Sequence, residues 1–448
     1  MRFTLSLICL VVFSFTSYAQ KTLSLDEAIN IALNKNTSLQ KSENTLKTYE
    51  SGVKAAYGNF MPDLGVYGNW NWTKADEAGG NRYFQGSIIP VPSTTAQSRN
   101  YSVGASSDIT LFDGLSNIAT LSKSQNDLEA GQLNLERMKQ DIVFQTISLY
   151  YNVINAKQLL KVKEDDVKWN QKNLETITER NKLGAVTLAD VYNQQVQEGN
   201  AELALIQAKN DLETARTNLL YYLGLDILES YEITEPAGIS DMETLGQQKE
   251  LNYQDLSELV AKALSTRSDY KSAQLSLKSA EEGITIARSG YFPRLSGSIS
   301  YQMTSDAIKT IDNSRYLNIS ATISIPIFSG FSTENQVQIA KVNAENKDVE
   351  LTELERNIKR NIQKNYLDLQ AAEKSLSVNE KNVKAAAENR RIEEEKYSLG
   401  SGTLLNVLIA SSNYTTARTN YINAKFAYVV LSEQLNYYLG VLNFQKYE

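Results

Sequence analysis

The sequence predicts a mainly α-helical protein with a transmembrane β part, in which a helix–β-hairpin–helix unit occurs twice along the chain. Three observations support this fold class. Two very long stretches have helical spacing of their apolar residues, and four short segments alternate strictly between apolar and polar residues. In addition, a pattern of about 200 residues is repeated in tandem.

The first long stretch runs from Leu115 to Leu183, and it contains no proline and only one glycine, Gly131. Apolar or small side chains recur along it at three- and four-residue steps, as at Ile142, Thr146, Leu149, Val153, Ala156 and Leu160. At 1.5 Å per residue, a helix of roughly 70 residues would be about 105 Å long. A single compact domain does not reach that length, so the pattern predicts a rod.

A second long stretch has the spacing of a coiled coil. Its apolar positions lie about 3.5 residues apart, which is the heptad period; they are Leu351, Leu354, Ile358, Ile362, Tyr366, Leu369, Ala372, Leu376, Val383 and Ala387. Charged residues between them predict a solvated outer face. A solitary coiled coil would explain this stretch alone, but it would explain neither the repeat nor the alternating segments.

Two constant offsets relate the halves of the chain. An offset of 231 residues carries Pro62 onto Pro293, and an offset of 216 carries Gly114 onto Gly330 and the run 221–224 onto 437–440. The difference of 15 residues predicts one insertion between Pro62 and Phe112. We therefore predict a first repeat over 20–225, a linker or equatorial segment over 226–254, and a second repeat over 255–448.

Each repeat should open with a helix that ends before a proline. Ser24 is a suitable N-cap, and Glu27 three residues later completes the pattern of a capping box. The first helix is expected to run to about Phe60, because Met61-Pro62 should stop it.

Each repeat should then continue with two strands of period two, joined by a polar loop. The four strands are predicted at about 63–72, 101–111, 295–303 and 316–327. One interpretation is an ordinary antiparallel sheet with one face on a core. The other is a set of transmembrane strands with one face toward lipid and the other toward a lumen.

We favour the membrane interpretation, because the strand lengths suit a tilted crossing of a bilayer. The lipid-facing positions should then be Val103, Ile109, Ile319 and Ile323, whereas Ser106, Asn318 and Thr322 should face the lumen. Aromatic residues near the predicted strand ends, among them Trp70 and Trp72, would form an interfacial girdle. Four strands cannot close a barrel by themselves, so copies of the chain should pool strands, two giving eight and three giving twelve.

Composition excludes several functional classes. Lys+Arg 45 against Asp+Glu 52 gives no basic surface for nucleic acid. Histidine is absent, and the single cysteine, Cys9, lies near the N-terminus. We therefore predict no enzyme, no cofactor and no metal site. The carboxylate pairs that the chain does contain lie on the solvated faces of predicted helices.

The first residues are typical of an export signal over 1–19. Arg2 supplies a positive end, an apolar run follows, and Ser17-Tyr18-Ala19 resembles a cleavage site. Cys9 lies within the apolar run, which is too early for lipoprotein processing. No later run of about 20 apolar residues predicts a transmembrane helix.

Taken in order, these motifs resemble the TolC family of outer-membrane efflux proteins. The resemblance covers the chain from Ser24 to Leu442. It depends on the repeated helix–hairpin–helix plan, on Phe-Met-Pro and Tyr-Phe-Pro before the first strand of each pair, and on Leu-Phe-Asp-Gly and Ile-Phe-Ser-Gly after the second. It implies a homotrimer in the cell outer membrane, one third of a 12-stranded β-barrel from each chain, and a periplasmic α-helical coiled-coil barrel.

The same resemblance implies a passive duct for efflux or type I secretion, with a periplasmic adaptor protein and an inner-membrane transporter as partners. An exported coiled-coil spacer of the envelope, without a pore, is the alternative. The family's adaptor-docking tips fall on two short segments, namely Gly184, Ala185, Val186 and Thr187, and Gly400, Ser401, Gly402 and Thr403.

The family also closes its periplasmic entrance with a polar gate near the second tip. Its acidic position falls on Asp190 and its tyrosine on Tyr397, but its basic residue falls on Gly402. Its two pore acids fall on Asn406 and Ile409. The resemblance therefore implies a gate at Asp190, Tyr397 and Asn406 that is held differently from the family pattern.

Overall fold

The computed structural model describes residues 21–236 and 256–447. The predicted signal over 1–19 and most of the predicted linker lie outside the described residues. In chain order the strands and helices are β1 (Lys21–Leu23), α1 (Leu25–Lys35), α2 (Thr37–Gly58), β2 (Gly65–Glu77), β3 (Gly80–Phe84), β4 (Ser87–Val91), β5 (Thr94–Phe112), α3 (Ser116–Lys182), α4 (Leu188–Tyr222), β6 (Tyr231–Ile233), α5 (Leu256–Thr266), α6 (Ser268–Arg288), β7 (Arg294–Ser305), β8 (Ser314–Ser324), α7 (Ser332–Ser398) and α8 (Leu404–Tyr438).

The described chain divides into two units. The first comprises 21–40, 137–236, 256–267 and 357–447, and the second comprises 41–136 and 268–356. The tandem repeat is visible in the helix lengths, since α3 and α7 each have 67 residues, and α4 and α8 each have 35. No helix among the described residues is long and apolar enough to cross a membrane.

Asn36 interrupts the first predicted helix. Ser24 and Glu27 form the expected capping box at the start of α1, but α1 ends at Lys35 and α2 begins at Thr37. Asn36 has an extended backbone, and its side-chain oxygen accepts hydrogen bonds from the N–H groups of Ser38 (2.9 Å) and Leu39 (3.2 Å). The prediction of one helix to Phe60 was therefore wrong, because Asn caps a second helix better than it continues the first.

A small parallel sheet anchors the first unit. Strand β1 pairs with β6, so part of the predicted linker is a strand. The buried hydroxyl of Tyr150 donates to the carbonyl oxygens of Leu23 (3.0 Å) and Thr234, which lie at the ends of the two strands. Burial raises the pKa of Tyr150. These bonds hold the strand pair to α3.

The second unit contains an antiparallel sheet in the order β2-β5-β7-β8. The strands exist where they were predicted, but β2 and β5 are longer, with a continuous ladder from Gly65↔Ser106 to Glu77↔Thr94. The loop predicted between them also holds a separate hairpin of β3 and β4. The prediction of a polar loop over roughly 73–100 was therefore wrong, because these residues form strands.

The long helices follow the predicted spacing closely. Helix α3 begins at Ser116 and ends at Lys182, within one residue of the prediction. Its glycine, Gly131, lies against the ring of Tyr49 on α2, where an added Cβ would come within 2.9 Å of the ring. On α7, every predicted seam residue is buried or half-buried, whereas most of the charged residues between them are exposed.

Candidate functional site: the sheet faces and the hairpin tips

The register of the sheet assigns its apolar side chains to one face. Val103 lies opposite Met303, Ile109 opposite Gly297, Ile319 opposite Ile299 and Ile323 opposite Leu295. Directly paired residues point to the same side of a sheet, so the four predicted lipid-facing positions share one face. Ile319 is 71% exposed and Ile323 62% exposed in the chain. This face is therefore apolar and uncovered.

The opposite face is rich in hydroxyl and amide groups. Ser106 and Asn318 both pair with Ser300, and Thr322 pairs with Ser296. The hydroxyls of Ser298 and Ser320 lie 2.6 Å apart and bond to each other across the β7–β8 ladder. The two faces thus differ as a lipid-facing and a water-facing surface would.

The residues predicted for the aromatic girdle lie at the end of the four-stranded part of the sheet. Trp70 pairs with Tyr101, whose pair with Ser305 is the last of the β5–β7 ladder, and the Trp70 and Tyr101 ring centroids are 6.5 Å apart. The predicted end of the first strand at residue 72 was wrong, because β2 continues to Glu77 in a two-stranded ladder with β5.

Both edges of the sheet lack a partner strand within the described residues. Strand β2 pairs only with β5, and β8 pairs only with β7. Their outward N–H and C=O groups are therefore available to other strands, which is the usual basis of pairing between chains.

The first helical hairpin turns at Gly184, which has φ +72° as its C-cap role requires. The N–H of Gly184 donates to the carbonyl of Asn181 (2.9 Å), and that of Ala185 donates to the carbonyl of Arg180 (2.9 Å). The side chain of Asn181 then bonds the carbonyl of Val186 (2.8 Å). The tip is thus a compact turn of five residues between α3 and α4.

The second tip has the same plan with small differences. Gly400 has φ +75°, and the N–H groups of Ser401 (2.9 Å) and Gly402 (3.1 Å) both donate to the carbonyl of Lys396. Thr403 caps α8 by accepting the N–H of Asn406 (3.3 Å). Leu183 and Leu399 are highly exposed at the two tips.

The predicted gate residues do not bond to one another within the chain. The carboxylate of Asp190 accepts the N–H (3.0 Å) and the hydroxyl (2.7 Å) of Thr187, which completes a capping box on α4. The hydroxyl of Tyr397 is buried and has no hydrogen-bond partner among the described residues. Asn406 and Ile409 are exposed on α8.

Arg180 makes a contact that the sequence analysis missed. Its guanidinium donates to the carbonyl oxygens of Tyr397 (3.4 Å) and Ser398 (3.2 Å), and its central carbon lies 5.0 Å from the centroid of the Tyr397 ring. It therefore neutralises the C-terminal end of α7 from α3. The sequence shows a basic residue in the last turn of the predicted helix, but it does not show which residue of the other repeat this side chain contacts.

A buried amide pair was also missed. The side chain of Gln194 is fully buried and donates to the side-chain oxygen (3.0 Å) and the carbonyl (3.1 Å) of Asn170. A small apolar cluster of Ile177, Val191 and Leu404 lies nearer the tips, with Tyr397 packed against it. Together these contacts join both tips to α3.

A sheet with one apolar and one polar face, joined in sequence to long helical hairpins, defines an integral outer-membrane protein. A family model described as outer membrane efflux protein matches residues 28–225 and 259–441. The chain belongs to this family. The starts of the two matched stretches differ by 231 residues and their ends by 216, which are the two offsets of the repeat.

Curated relatives and solved structures agree with this assignment. The chain is 24% identical to the outer membrane protein TolC of Salmonella enteritidis over 75% of this chain and 68% of the relative. It is 21% identical to the outer membrane efflux protein BepC of Brucella suis over 94% of this chain and 86% of the relative. The fold is similar to that of the outer membrane protein VceC from Vibrio cholerae, with a TM-score of 0.78 at 17% identity over 93% of this chain and 96% of that one.

The difference between the two sheet faces leads to a test with neighbouring residues. We expect Ile319→Arg, at the central pair of the β7–β8 ladder, to cost about 2–4 kcal/mol of folding free energy in a bilayer, because a cation in the middle of the lipid face is poorly solvated. Asn318→Arg, on the opposite face, should cost much less. Urea titrations of both variants in lipid vesicles measure the difference, and equal stabilities would contradict the assignment of the faces.

Proposed function

We propose that the chain is one third of a passive duct that spans the outer membrane and continues into the periplasm. The sheet provides the main support for this proposal. Its apolar face is uncovered, and its two edges are unpaired within the described residues. Family membership supports efflux or type I secretion as the process. The energy for transport would come from an inner-membrane transporter, with a periplasmic adaptor protein between the two.

Closure of the sheet requires more than one copy of the chain. In hydrocarbon each unpaired backbone group costs several kcal/mol, so β2 of one copy should pair with β8 of the next. Two copies would give eight strands and three would give twelve. The resemblance to the family favours three.

An exposed apolar stripe on α4 supports contact between copies beyond the sheet. Leu188, Tyr192, Val196, Leu203 and Ile206 are all exposed, and their spacing follows one side of a helix. A lone helix of this kind needs a partner. Neighbouring copies around a tunnel would supply it.

The hairpin tips are the candidate docking surface for the adaptor. Their turns are rigid, since each is closed by backbone hydrogen bonds around a left-handed glycine, and their leucines are exposed. Such tips present a fixed apolar contact to a partner helix. The chain would conduct and dock but catalyse nothing; the lack of histidine supports this.

Conductance is the direct test of the duct. The purified protein should have the mass of three chains of about 50 kDa each in detergent, slightly less after removal of a leader, and should form discrete channels in planar bilayers. A stable monomer would contradict the shared barrel. Stable trimers that do not conduct would instead favour the spacer.

The docking role of the tips can be tested with matched valines. Gly184→Val places a β-branched residue at φ +72°, which is strained although the space around it is open. Ala185→Val adds the same side chain next to it at an ordinary φ. We expect intact trimers for both, with lost export and weakened adaptor cross-linking only for Gly184→Val.

Gly400→Val should behave like Gly184→Val if both tips dock. Normal export by both glycine variants would show that the shape of the tips does not matter for docking.

The gate remains a prediction about contacts between neighbouring copies. Tyr397→Phe removes only a hydroxyl, which is buried and has no partner within the described chain, so a bond to a neighbouring copy requires the Tyr397 side chain to turn outward on assembly. A bond from this hydroxyl to Asp190 would be charge-assisted, and its loss costs on the order of 1–3 kcal/mol. A closed–open equilibrium should then shift roughly 5- to 150-fold. We expect a higher time-averaged conductance for Tyr397→Phe and for Asp190→Ala, with little further increase in the double variant.

The control for the gate is Ser24→Ala, which removes the cap of α1 and contacts no gate residue. It should cost about 0.5–2 kcal/mol of stability and leave conductance unchanged. If Tyr397→Phe conducts like the wild type, Asp190 acts only as a capping residue.

A further inference from the structure

The β3–β4 hairpin has no role in the duct described so far. It is a regular two-stranded ribbon with five residue pairs, closed by a turn in which Gln85 has φ +48° and Gly86 has φ +83°. These angles are those of a type I′ turn, which suits a tight hairpin. The second repeat has no counterpart, since only residues 306–313 join β7 to β8.

A polar stalk carries this hairpin away from the sheet. The β5–β7 ladder ends at the pair Tyr101↔Ser305, but the β2–β5 ladder continues to Glu77↔Thr94. The seven further residues of β5 span about 24 Å at 3.4 Å per residue. Lys74 and Asp76 on this stalk form a surface ion pair at 3.1 Å, and Thr95 bonds Asp76 at 2.6 Å. The stalk is thus suited to water.

The hairpin itself is unlike its stalk, because it is apolar on both faces. Residues 79–92 contain a single charged residue, Arg82. The register assigns Tyr83, Ile88 and Pro90 to one face and Phe84, Ile89 and Val91 to the other. Among these, the five side chains other than Pro90 are 40–75% exposed.

A two-stranded hairpin is marginally stable in water by itself, and one with apolar side chains on both faces needs cover on both. A lipid surface or a protein docked from one side would cover one face only. In a three-fold ring, each hairpin has a neighbour on either side. The single Arg82 adds little repulsion between copies.

We propose that the β3–β4 hairpins of three copies pack face to back in a ring above the outer mouth of the duct and form a lid. The inference rests on the proposed trimeric duct. In the ring, the Tyr83–Ile88 face of one hairpin contacts the Phe84–Ile89 face of the next. Release of these contacts would open the exit independently of the periplasmic gate.

Paired cysteines test the packing without removing an apolar side chain. Asn81 lies on the Tyr83 face and Arg82 on the Phe84 face, and both are polar and exposed. The only native cysteine, Cys9, lies in the predicted leader. With a short bis-maleimide, the double variant Asn81→Cys/Arg82→Cys should yield covalently linked trimers on denaturing gels. Neither single variant should yield linked dimers, because in the ring each face meets the opposite face of the next hairpin and never its own kind.

Two controls make the outcome specific. Lys309→Cys, in the loop between β7 and β8, should give no linked dimers, and Lys309→Cys/Asp312→Cys, which has two thiols per chain like the hairpin variant, should give no linked trimers. Adding Ile88→Ser and Ile89→Ser to the double cysteine variant should abolish the covalent trimer but leave the native trimer mass unchanged, and it should raise conductance.

The inference and the proposed function fail in different ways. If the double cysteine variant is trimeric and conducting but stays monomeric on denaturing gels, the lid is wrong and the duct stands. The lid is also wrong, with the duct unaffected, if a water-soluble maleimide labels both hairpin cysteines as fast as it labels the cysteine of Lys309→Cys. If the parent protein forms no trimer and no channel, the duct itself is wrong.

Discussion

The pairing of backbone groups in hydrocarbon is the constraint on which the rest of the structure depends. Water is absent there, so each strand must find a partner on both sides. Within one chain, β5 and β7 each have a hydrogen-bonded strand on both sides. The outer edges of β2 and β8 have no partner strand within the described residues. In the proposed assembly, main-chain hydrogen bonds between β2 of one copy and β8 of the next would close the sheet.

The same constraint explains why much of the fold was visible in the sequence. A strand between lipid and lumen must alternate, and Val103, Ile319 and Ile323 share one face of the sheet. A helix that packs along its whole length must keep its spacing, and the α7 seam does. In both the strands and the long helix, each face has the same surroundings over many residues. The apolar residues therefore recur at a constant spacing that can be recognised in the sequence.

Local interruptions were not predictable in the same way. Asn36 caps the start of α2 with one side-chain oxygen, and no glycine or proline marks the break in the sequence. The β3–β4 hairpin lies inside a segment that was predicted to be a polar loop. Arg180 and Gln194 bond to residues far away in sequence or on another helix. Such contacts depend on the fold, and a single sequence does not encode them as a pattern.

The duplication shows where the two repeats are constrained equally and where they have diverged. The long helices α3 and α7 have equal lengths in the two repeats. A tunnel wall built from helices of different lengths would leave helix ends without neighbours. The tips of the two helical hairpins differ more between the repeats. Asp190 completes a capping box at the first tip, whereas Asn406 receives only the Thr403 cap at the second.

The strand loops have diverged further, since one carries a stalk and hairpin and the other only residues 306–313. In the proposed trimer, one such hairpin would stand at every second loop around the barrel. That spacing would leave room for each hairpin to turn toward its neighbours. A hairpin in both repeats would crowd six apolar tips at one mouth, so the asymmetry itself favours a ring of three.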